Sequence, residues 1–585
     1  MTEYFEVHER DGAARLGELR LSDPLVTPAI VDDVLSDAGS LWFRDREVPE
    51  GSDDEVTVLP HRAFPSGTPD EVQDSFAVEY PDVDYPSAAV VSPETASDRG
   101  TDVYVLSGAP GFVGHGSAFV DAIVQARETI PADTALMLSG VATPGNVATL
   151  AYAGVDLVDA DRAVVAGTRG RHLTTDGQYY LEDLDDLPCA CPACQNAGSV
   201  EAFTREDCAN HNVNRLRAEL ATVRQRIRQG RLRDYVEAQA RHEQWHTAVF
   251  RELDDQWGYL EQRTPVLREA ESTAASEDTL RRVEIRRFAD RVTSRYRCRF
   301  NEPLVLVPCS ARKPYSESQS HGQFHDAIQY RAHLVSMTSP IGVVPQELEL
   351  TYPAQHYDAV VTGRWTEGEE EFVAEVLRRY LKRNDYPRIV AHVPEAGYRE
   401  VIERVESDLG LDVEYTVEDH PTTGDSISNL MTALEGELKY SRRERQHNTV
   451  RAIADYMFGD GAGDEIFEDL RTTSRYPKLQ VRDRDGEQLA TMVPNYGVLS
   501  LTLAGARRWV ASDAPTKTVE IDDFVPHGSV LAPGVTGADD EIRVGDEVVV
   551  EGPSAFAVGR ASMSGPEMAE STRGVAVEVR HAEER

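Results

Sequence analysis

The sequence predicts an α+β multidomain protein, and three observations carry that reading. The chain has 585 residues, and at roughly 150 residues per domain that length suggests about four domains. Between Thr101 and Val158 short apolar runs alternate with amphipathic helical runs, the pattern of a parallel sheet or barrel. From about residue 514 onward the pattern changes to short β-runs punctuated by Gly and Pro, which reads as a small β-barrel. A hydrophobic content of 41% with 22 Tyr, 16 Phe and 5 Trp is enough for several cores and excludes a disordered chain.

Taken in order, residues 12–30 read as two short strands, and the acidic stretch 50–84 shows no apolar periodicity and reads as solvated loop. Strands are expected at 103–106, 135–139 and 155–158, and helices at 117–128 and 143–153. Residues 212–253 read as one long helical stretch carrying Arg215, Arg217, Arg224, Arg226, Arg228, Arg231 and Arg233, with Glu219 and Asp234 the acids within the basic run. A linker containing 269–278 leads to a second α/β unit, with strands at 304–307, 358–361 and 389–392 and helices at 369–381, 397–409 and 426–440. Residues 450–513 mix helix and strand. The expected domains are 1–290, 291–448, 449–513 and 514–585.

The charge balance is unusual: the formal net charge is −41, and of 60 basic residues only Lys313, Lys382, Lys439, Lys478 and Lys517 are lysine, leaving 55 arginines. An acidic, Lys-poor surface suits a cytoplasm with molar salt, where a Debye length of about 3 Å removes most long-range repulsion. In that medium, net charge does not exclude RNA as a partner. The start, Met1 to Glu6, has neither a basic nor an apolar leader region, and no run of about 18 apolar residues occurs, so the expectation is a cytoplasmic protein with no membrane partner. Six cysteines are too few for a disulfide scaffold.

Three of those cysteines fall at Cys189, Cys191 and Cys194. With His211 they make a Cys₃His set suited to tetrahedral zinc, and four protein ligands leave no open position, so such a zinc is structural. Cys208 is the rival fourth ligand. The segment Gly154-Val155-Asp156-Leu157-Val158-Asp159, the cysteine cluster, His211-Asn212 and the basic helix together resemble the archaeal tRNA-guanine transglycosylases over about residues 100–260. The resemblance implies a truncated transglycosylase-like α/β barrel in which Asp159 is the nucleophile toward the ribose and the Cys₃His set holds zinc. The Asp-Ser-Gly-Gly segment carrying that family's other catalytic aspartate is not found, which argues against base exchange. The plainer reading of Asp159 is a loop carboxylate capping the next element. The Gly108, Gly111 and Gly114 cluster has the wrong first spacing for a dinucleotide fingerprint.

In the second α/β unit an expected strand runs into Pro308-Cys309-Ser310-Ala311-Arg312-Lys313-Pro314-Tyr315-Ser316-Glu317-Ser318-Gln319-Ser320-His321. Open α/β sheets place ligands where parallel strands end, and a thiol there is a nucleophile when a helix N-terminus or a cation stabilises the thiolate. The alternative is a Ser-rich turn with a buried Cys. Lysine scarcity favours chemistry: directly after Arg312, a lysine marks a place where a deprotonatable amine is wanted.

This motif resembles the signature of the archaeosine synthases, as do Glu347-Leu348-Glu349, Tyr352-Pro353, His356-Tyr357-Asp358 and Val361-Thr362-Gly363-Arg364-Trp365. The resemblance spans nearly the whole chain and implies chemistry on the nitrile of 7-cyano-7-deazaguanine at nucleotide 15 of tRNA. It implies either direct amidine formation from a nitrogen donor or attachment of lysine, later cleaved by a radical-SAM partner. A thiolate adding to the nitrile gives a thioimidate that an amine displaces. Cys309 fits the nucleophile, Lys313 or His321 the proton carrier, and Tyr315 and Ser318 the donors to the developing imide nitrogen. Around the base the resemblance assigns Glu347, His356, Asp358 and Trp365 to substrate binding. The tail, from His527-Gly528 through Pro533-Gly534 and Gly545-Asp546, resembles the PUA domain of RNA-modifying enzymes. RNA contacts are expected at Arg215, Arg224, Arg228 and Arg231 and at the tail glycines Gly528, Gly534 and Gly545. The expected partners are tRNA, a nitrogen donor such as lysine and a radical-SAM protein, with a homodimer as a further expectation. The competing expectations are a base-exchanging transglycosylase using Asp159 and a non-catalytic tRNA-docking subunit.

Overall fold

The computed structural model describes residues 3–42, 48–64, 67–359 and 364–585, which form two compact units. One comprises Met1–Pro265 with Leu531–Val535 and Met563–Ala576; the other comprises Val266–Val530, Thr536–Ser562 and Val577–Arg585. The part of the sequence motif at 361–363 lies outside the described residues.

The first unit opens with an antiparallel sheet of β1 (Phe5–Asp11), β2 (Ala14–Leu19) and β3 (Leu25–Thr27). It continues with β4 (Ala29–Ile30), β5 (Leu35–Asp37), β6 (Val56–Val58), β7 (Ser87–Val91), β8 (Val103–Leu106), β9 (Ala135–Leu138) and β10 (Leu157–Val158). These seven pair in parallel in the order β4-β10-β9-β8-β7-β6-β5. The two edge strands, β4 and β5, are consecutive in the chain and separated by residues 31–34 alone. A flat seven-stranded sheet would hold its edges roughly 29 Å apart at about 4.8 Å per strand, whereas the connecting chain reaches at most about 18 Å. The sheet therefore curls into the expected truncated barrel, its edges joined by a turn rather than by a strand pair among the described residues.

Two expectations for this unit are corrected. The segment 50–84 is not all loop: β6 lies inside the sheet with all three residues buried, and a strand covered on both faces shows no alternation to read. The stretch 212–253 is not one helix. A first helix, Arg205–Arg228, starts earlier at a Thr204/Asp207 capping box and ends just before Gly230, whose φ of 63° is left-handed; shorter helices follow at Leu232–Gln239 and Gln244–Asp255. After the barrel come β11 (Arg171–Leu173) and β12 (Gln178–Tyr180), paired antiparallel. The helix Asp161–Thr168 packs tightly on Arg205–Arg228: a Cβ on Gly167 would lie 2.4 Å from the Ala209 backbone.

In the second unit β13 (Ser272–Ala274) falls inside the expected linker. The central sheet is built from β14 (Leu304–Pro308), β15 (His333–Thr338), β16 (Gly342–Pro345), then, beyond β17 (Tyr357–Ala359), β18 (Ile389–Ala391) and β19 (Val413–Tyr415). Its order is β16-β15-β14-β18-β19, parallel except for β16, while β17 pairs with β13 instead. From β14 the chain goes outward to β15 and β16, then returns to β18 on the other side. The crevice at the carboxyl ends of β14 and β18 is thus the switch point where open α/β sheets bind ligands. A four-stranded antiparallel sheet spans Arg471–Leu501. The C-terminal strands Thr518–Ile521, Glu547–Gly552, Ala555–Ala561 and Val575–Glu584 belong to a six-stranded sheet.

Candidate functional site

Cys309 follows β14 directly, with its N–H donating to the Met337 carbonyl of β15 at 3.1 Å. Across the switch point, the turn Glu395–Arg399 after β18 brings the Tyr398 hydroxyl to 3.2 Å from the Cys309 sulfur. Burial, then the neighbouring Cys309, pushes the Tyr398 phenol well above its ordinary value. Trp365 packs against Tyr398, ring centroids 4.4 Å apart. Tyr398 lies 89 residues from Cys309, and no spacing signal in the sequence points to it.

The motif residues converge on this strand end. The Lys313 ammonium lies 3.8 Å from the centre of the Tyr357 ring, a cation–π contact. Burial lowers the Lys313 pKa below the ordinary lysine value, with Cys309, Asp358 and Glu271 opposing. Tyr357 shares its hydroxyl with Tyr315 at 2.5 Å and Thr338 at 2.8 Å, and Tyr315 stacks on His321. His321 is fully buried. Its Nε2 faces the Pro308 carbonyl at 3.0 Å and must carry the hydrogen, because the carbonyl only accepts; Nδ1 is left with no partner. Burial lowers the His321 pKa to about 4, so the ring is neutral. Ser318 caps the helix Gln319–Ile328 by accepting from the His321 N–H at 3.2 Å. The motif is therefore a scaffold with a thiol and an amine at its rim: His321 pins the carbonyl preceding Cys309, Ser318 fixes His321, and Tyr357, hydrogen-bonded to Tyr315, carries the ammonium.

The four downstream positions divide. Asp358 is exposed at the β17 edge and acts on Lys313 electrostatically, and Trp365 reaches Tyr398. His356 is half-buried between Tyr352 and Tyr496, with Nδ1 unpartnered. Glu347 is elsewhere: its carboxylate meets His333 Nε2 at 3.0 Å and the Tyr296 hydroxyl at 3.4 Å. His333 begins β15, opposite Leu304, roughly 13 Å along the strand from the level of Pro308. Burial works against the His333 imidazolium, but Glu347 and Cys298 overcome it and raise the pKa to about 10.

In the first unit, Cys189, Cys191, Cys194 and His211 bring one donor atom each to within 4.8 Å of one another. Cys191 and Cys194 sulfurs are 3.6 Å apart, and His211 Nδ1 is 3.4 and 3.3 Å from them. A tetrahedral ion with Zn–S near 2.3 Å and Zn–N near 2.0 Å sets such separations at about 3.5–3.8 Å. His211 Nε2 donates to the Leu173 carbonyl at 2.9 Å, which leaves the Nδ1 lone pair facing the thiols, the orientation an outer-shell hydrogen bond imposes on a ligating imidazole. The group can hold a metal ion. Cys208 is not among the four; it is fully buried in an apolar cluster, and burial raises its thiol to about 11. His211 is the seventh residue of the helix Arg205–Arg228.

Asp159 is buried, and its carboxylate accepts from the Ser139 hydroxyl, from the Gly140 N–H at 2.9 and 3.0 Å and from the Asp161 N–H at 3.3 Å. It ties the turn after β9 to the start of the next helix. Of the expected RNA-contacting arginines, Arg224 donates to the Pro28 carbonyl and Arg231 pairs with Asp234; Arg215 is half-buried and Arg228 exposed. Gly528 and Gly545 are turn glycines with φ of 84° and 92°, and Gly534 closes a short 3₁₀ turn.

Comparison with known proteins matches this architecture. Family models match residues 85–244 (queuine tRNA-ribosyltransferase), 285–434 (a domain of unknown function), 448–515 (patch-forming domain C2 of tRNA-guanine transglycosylase) and 519–582 (PUA domain). The archaeosine synthase of Haloferax volcanii is 68% identical over the whole of both chains. The chain belongs to the archaeosine synthase family. Its likeness to other archaeosine synthases extends to the subunit alpha of Methanosarcina acetivorans, 40% identical over 99% of each chain. Outside that group, the tRNA-guanine(15) transglycosylase of Methanothermobacter thermautotrophicus is 27% identical over 79% of this chain and 68% of its own. As an archaeosine synthase, the chain is a tRNA-modifying enzyme with a PUA domain, and none of its described helices is long and apolar enough to cross a membrane.

Proposed function

We propose that this archaeosine synthase acts on tRNA carrying 7-cyano-7-deazaguanine at nucleotide 15 and adds an amine, lysine or another nitrogen donor, to the nitrile. The observation that carries this is the pairing of the Cys309 thiol with the Tyr398 hydroxyl at the switch point, with a partly buried lysine beside them. The Cys309 thiolate forms a bond to the nitrile carbon, the displaced π pair on nitrogen takes a proton, and a thioimidate results. The donor amine then bonds to the same carbon, loses a proton, and expels the thiolate, leaving an amidine. Lys313, its pKa lowered by burial, is suited to move these protons, and Tyr398 is within reach of the atoms bonded to sulfur. Tyr315, Ser318 and His321 act through position: Tyr315 and Ser318 already serve Tyr357 and the helix cap.

The Cys₃His group holds zinc in this reading, as a structural ion that ties the segment Cys189–Cys194 to the helix Arg205–Arg228. The domains are 1–290, 291–448, 449–513 and 514–585, with tRNA gripped by the first and last. Asp159 is a structural carboxylate, since backbone and hydroxyl donors already occupy it. The test is mass spectrometry of nucleosides from nitrile-bearing tRNA incubated with the full chain and candidate donors. A lysine adduct or amidine at nucleotide 15 is the expected product. An unaltered nitrile with every donor leaves a docking subunit as the better reading, and exchange of free guanine abolished by Asp159→Ala replaces the proposal with a transglycosylase.

A further inference from the structure

The first unit holds a cavity of about 550 Å³ that does not include Asp159, a size typical of small-ligand pockets. It opens among the loops that follow β8 and β9, and Arg162, Arg169 and Arg171 line it. In a chain with 101 acidic and 60 basic residues, three arginines on one cavity wall without a carboxylate partner stand out. Elsewhere in this unit Arg15 pairs with Asp156 and Arg233 with Asp254. Among the described residues, none of these three guanidiniums has a carboxylate partner; Arg171 lies only over the Tyr180 ring. The two carboxylates of the lining face other groups: Asp176 accepts from the Thr174 hydroxyl at 2.6 Å, and Glu243 meets His246 at 3.3 Å. Trp245 also lines the cavity, and its buried indole N–H has no partner.

Three unpaired guanidiniums beside an aromatic ring suit a phosphate-bearing base. We infer that this cavity takes an unpaired nucleotide of an RNA strand, its flanking phosphates held by Arg162, Arg169 and Arg171 and its base set against Trp245. The choice of an RNA strand over a free nucleotide rests on the proposed action on tRNA; the phosphate-and-aromatic chemistry does not.

The experiment measures binding of a labelled single-stranded RNA pentanucleotide and of the nucleoside 5′-monophosphates to the full chain across a series of KCl concentrations, with tryptophan fluorescence as a second signal. The pentanucleotide should bind and quench, with part of the quench lost in Trp245→Phe. The triple change of Arg162, Arg169 and Arg171 to Gln should weaken binding by about tenfold or more, and flatten the dependence of log K on log salt by about 2, at roughly 0.7 per lost single-strand phosphate contact. Arg169 is exposed, so Arg169→Glu tests the site without disturbing packing and should weaken binding as well. Wild-type affinity in both variants overturns the site. Monophosphates binding as tightly as the pentanucleotide overturn the RNA assignment. Pentanucleotide binding that depends on the three arginines, with no chemistry on nitrile-bearing tRNA, supports the cavity and sinks only the proposed function.

Discussion

At the residue scale, the informative contrast is between Cys309 and Lys313, which the sequence displays, and Tyr398, which it hides. A thiol at a strand end and a lysine in a chain that otherwise uses arginine are local signals, readable without a fold. Tyr398 comes to the sulfur only because β18 lies beside β14, a pairing of residues 85 apart in the chain, Leu304 opposite Ile389, and no window of sequence contains it. Replacing Cys309 with Ser should abolish turnover while tRNA still binds, because an alcohol is scarcely ionised where a thiol is; turnover at the wild-type rate would make Cys309 structural. Lys313→Arg is the finer test. Burial lowers the Lys313 pKa, so its neutral fraction grows at lower pH than for a solvated lysine, and a step that uses the free amine should speed up as pH rises through that lowered value. Arginine stays charged up to about pH 12, so the variant should lose that limb of the pH profile and about a hundredfold in turnover, the low end of acid–base contributions. An arginine enzyme with near-normal rate and the same pH profile would reduce Lys313 to a cation resting on Tyr357.

At the scale of elements, most of the alternating βα pattern from β8 to β10 was legible because the helices Gly116–Thr129 and Val147–Ala153 separate its short apolar runs. What was missed has common causes: β6 is short and covered on both faces, and β13 is three residues whose strand character comes only from pairing with β17. The metal cluster was legible from spacing, yet its rival Cys208 was separable only through burial. Zinc held by Cys189, Cys191, Cys194 and His211 should appear as one ion per chain in elemental analysis of protein purified without chelator. His211→Ala should lose it and destabilise the first unit, whereas Cys208→Ala should retain it; the reverse result would reassign the fourth ligand. A second element, the start of β15, has a stability that depends on pH. His333 has its pKa raised from 6.5 to about 10 by Glu347 and Cys298 against burial, so its contribution is full below about pH 6.5 and is lost as pH rises through about 10. The wild type should melt at progressively lower temperature across that window relative to His333→Gln, which should be less stable at pH 6 and flatter. Parallel curves for the two proteins would show that the buried pair contributes no linkage.

At the scale of the whole molecule, two properties come from different levels of the sequence. The barrel's closure is a consequence of chain length between two edges, four residues joining β4 to β5, and was unreadable until the strand order was known. The charge excess needs no fold at all: 101 acids against 60 bases and a net charge of −41 set a self-repulsion that acts on any compact form of the chain. Local pairing relieves part of it, as where Arg299 bridges Asp455 and Asp464, but over the whole chain carboxylates outnumber basic residues. At 0.1 M salt the Debye length is about 10 Å and many of these charges repel one another; at 1 M it is about 3 Å and only near neighbours do. The melting temperature should therefore rise steeply between 0.1 and 1 M KCl and more slowly beyond, because little long-range repulsion remains to be screened. Buried pairs such as Arg233 with Asp254 are shielded from the ions, so salt should not weaken them enough to offset the gain. A melting temperature that is flat or falls from 0.1 to 1 M KCl would mean that surface repulsion is not what limits the folded state, and that the acidic composition serves hydration or solubility instead.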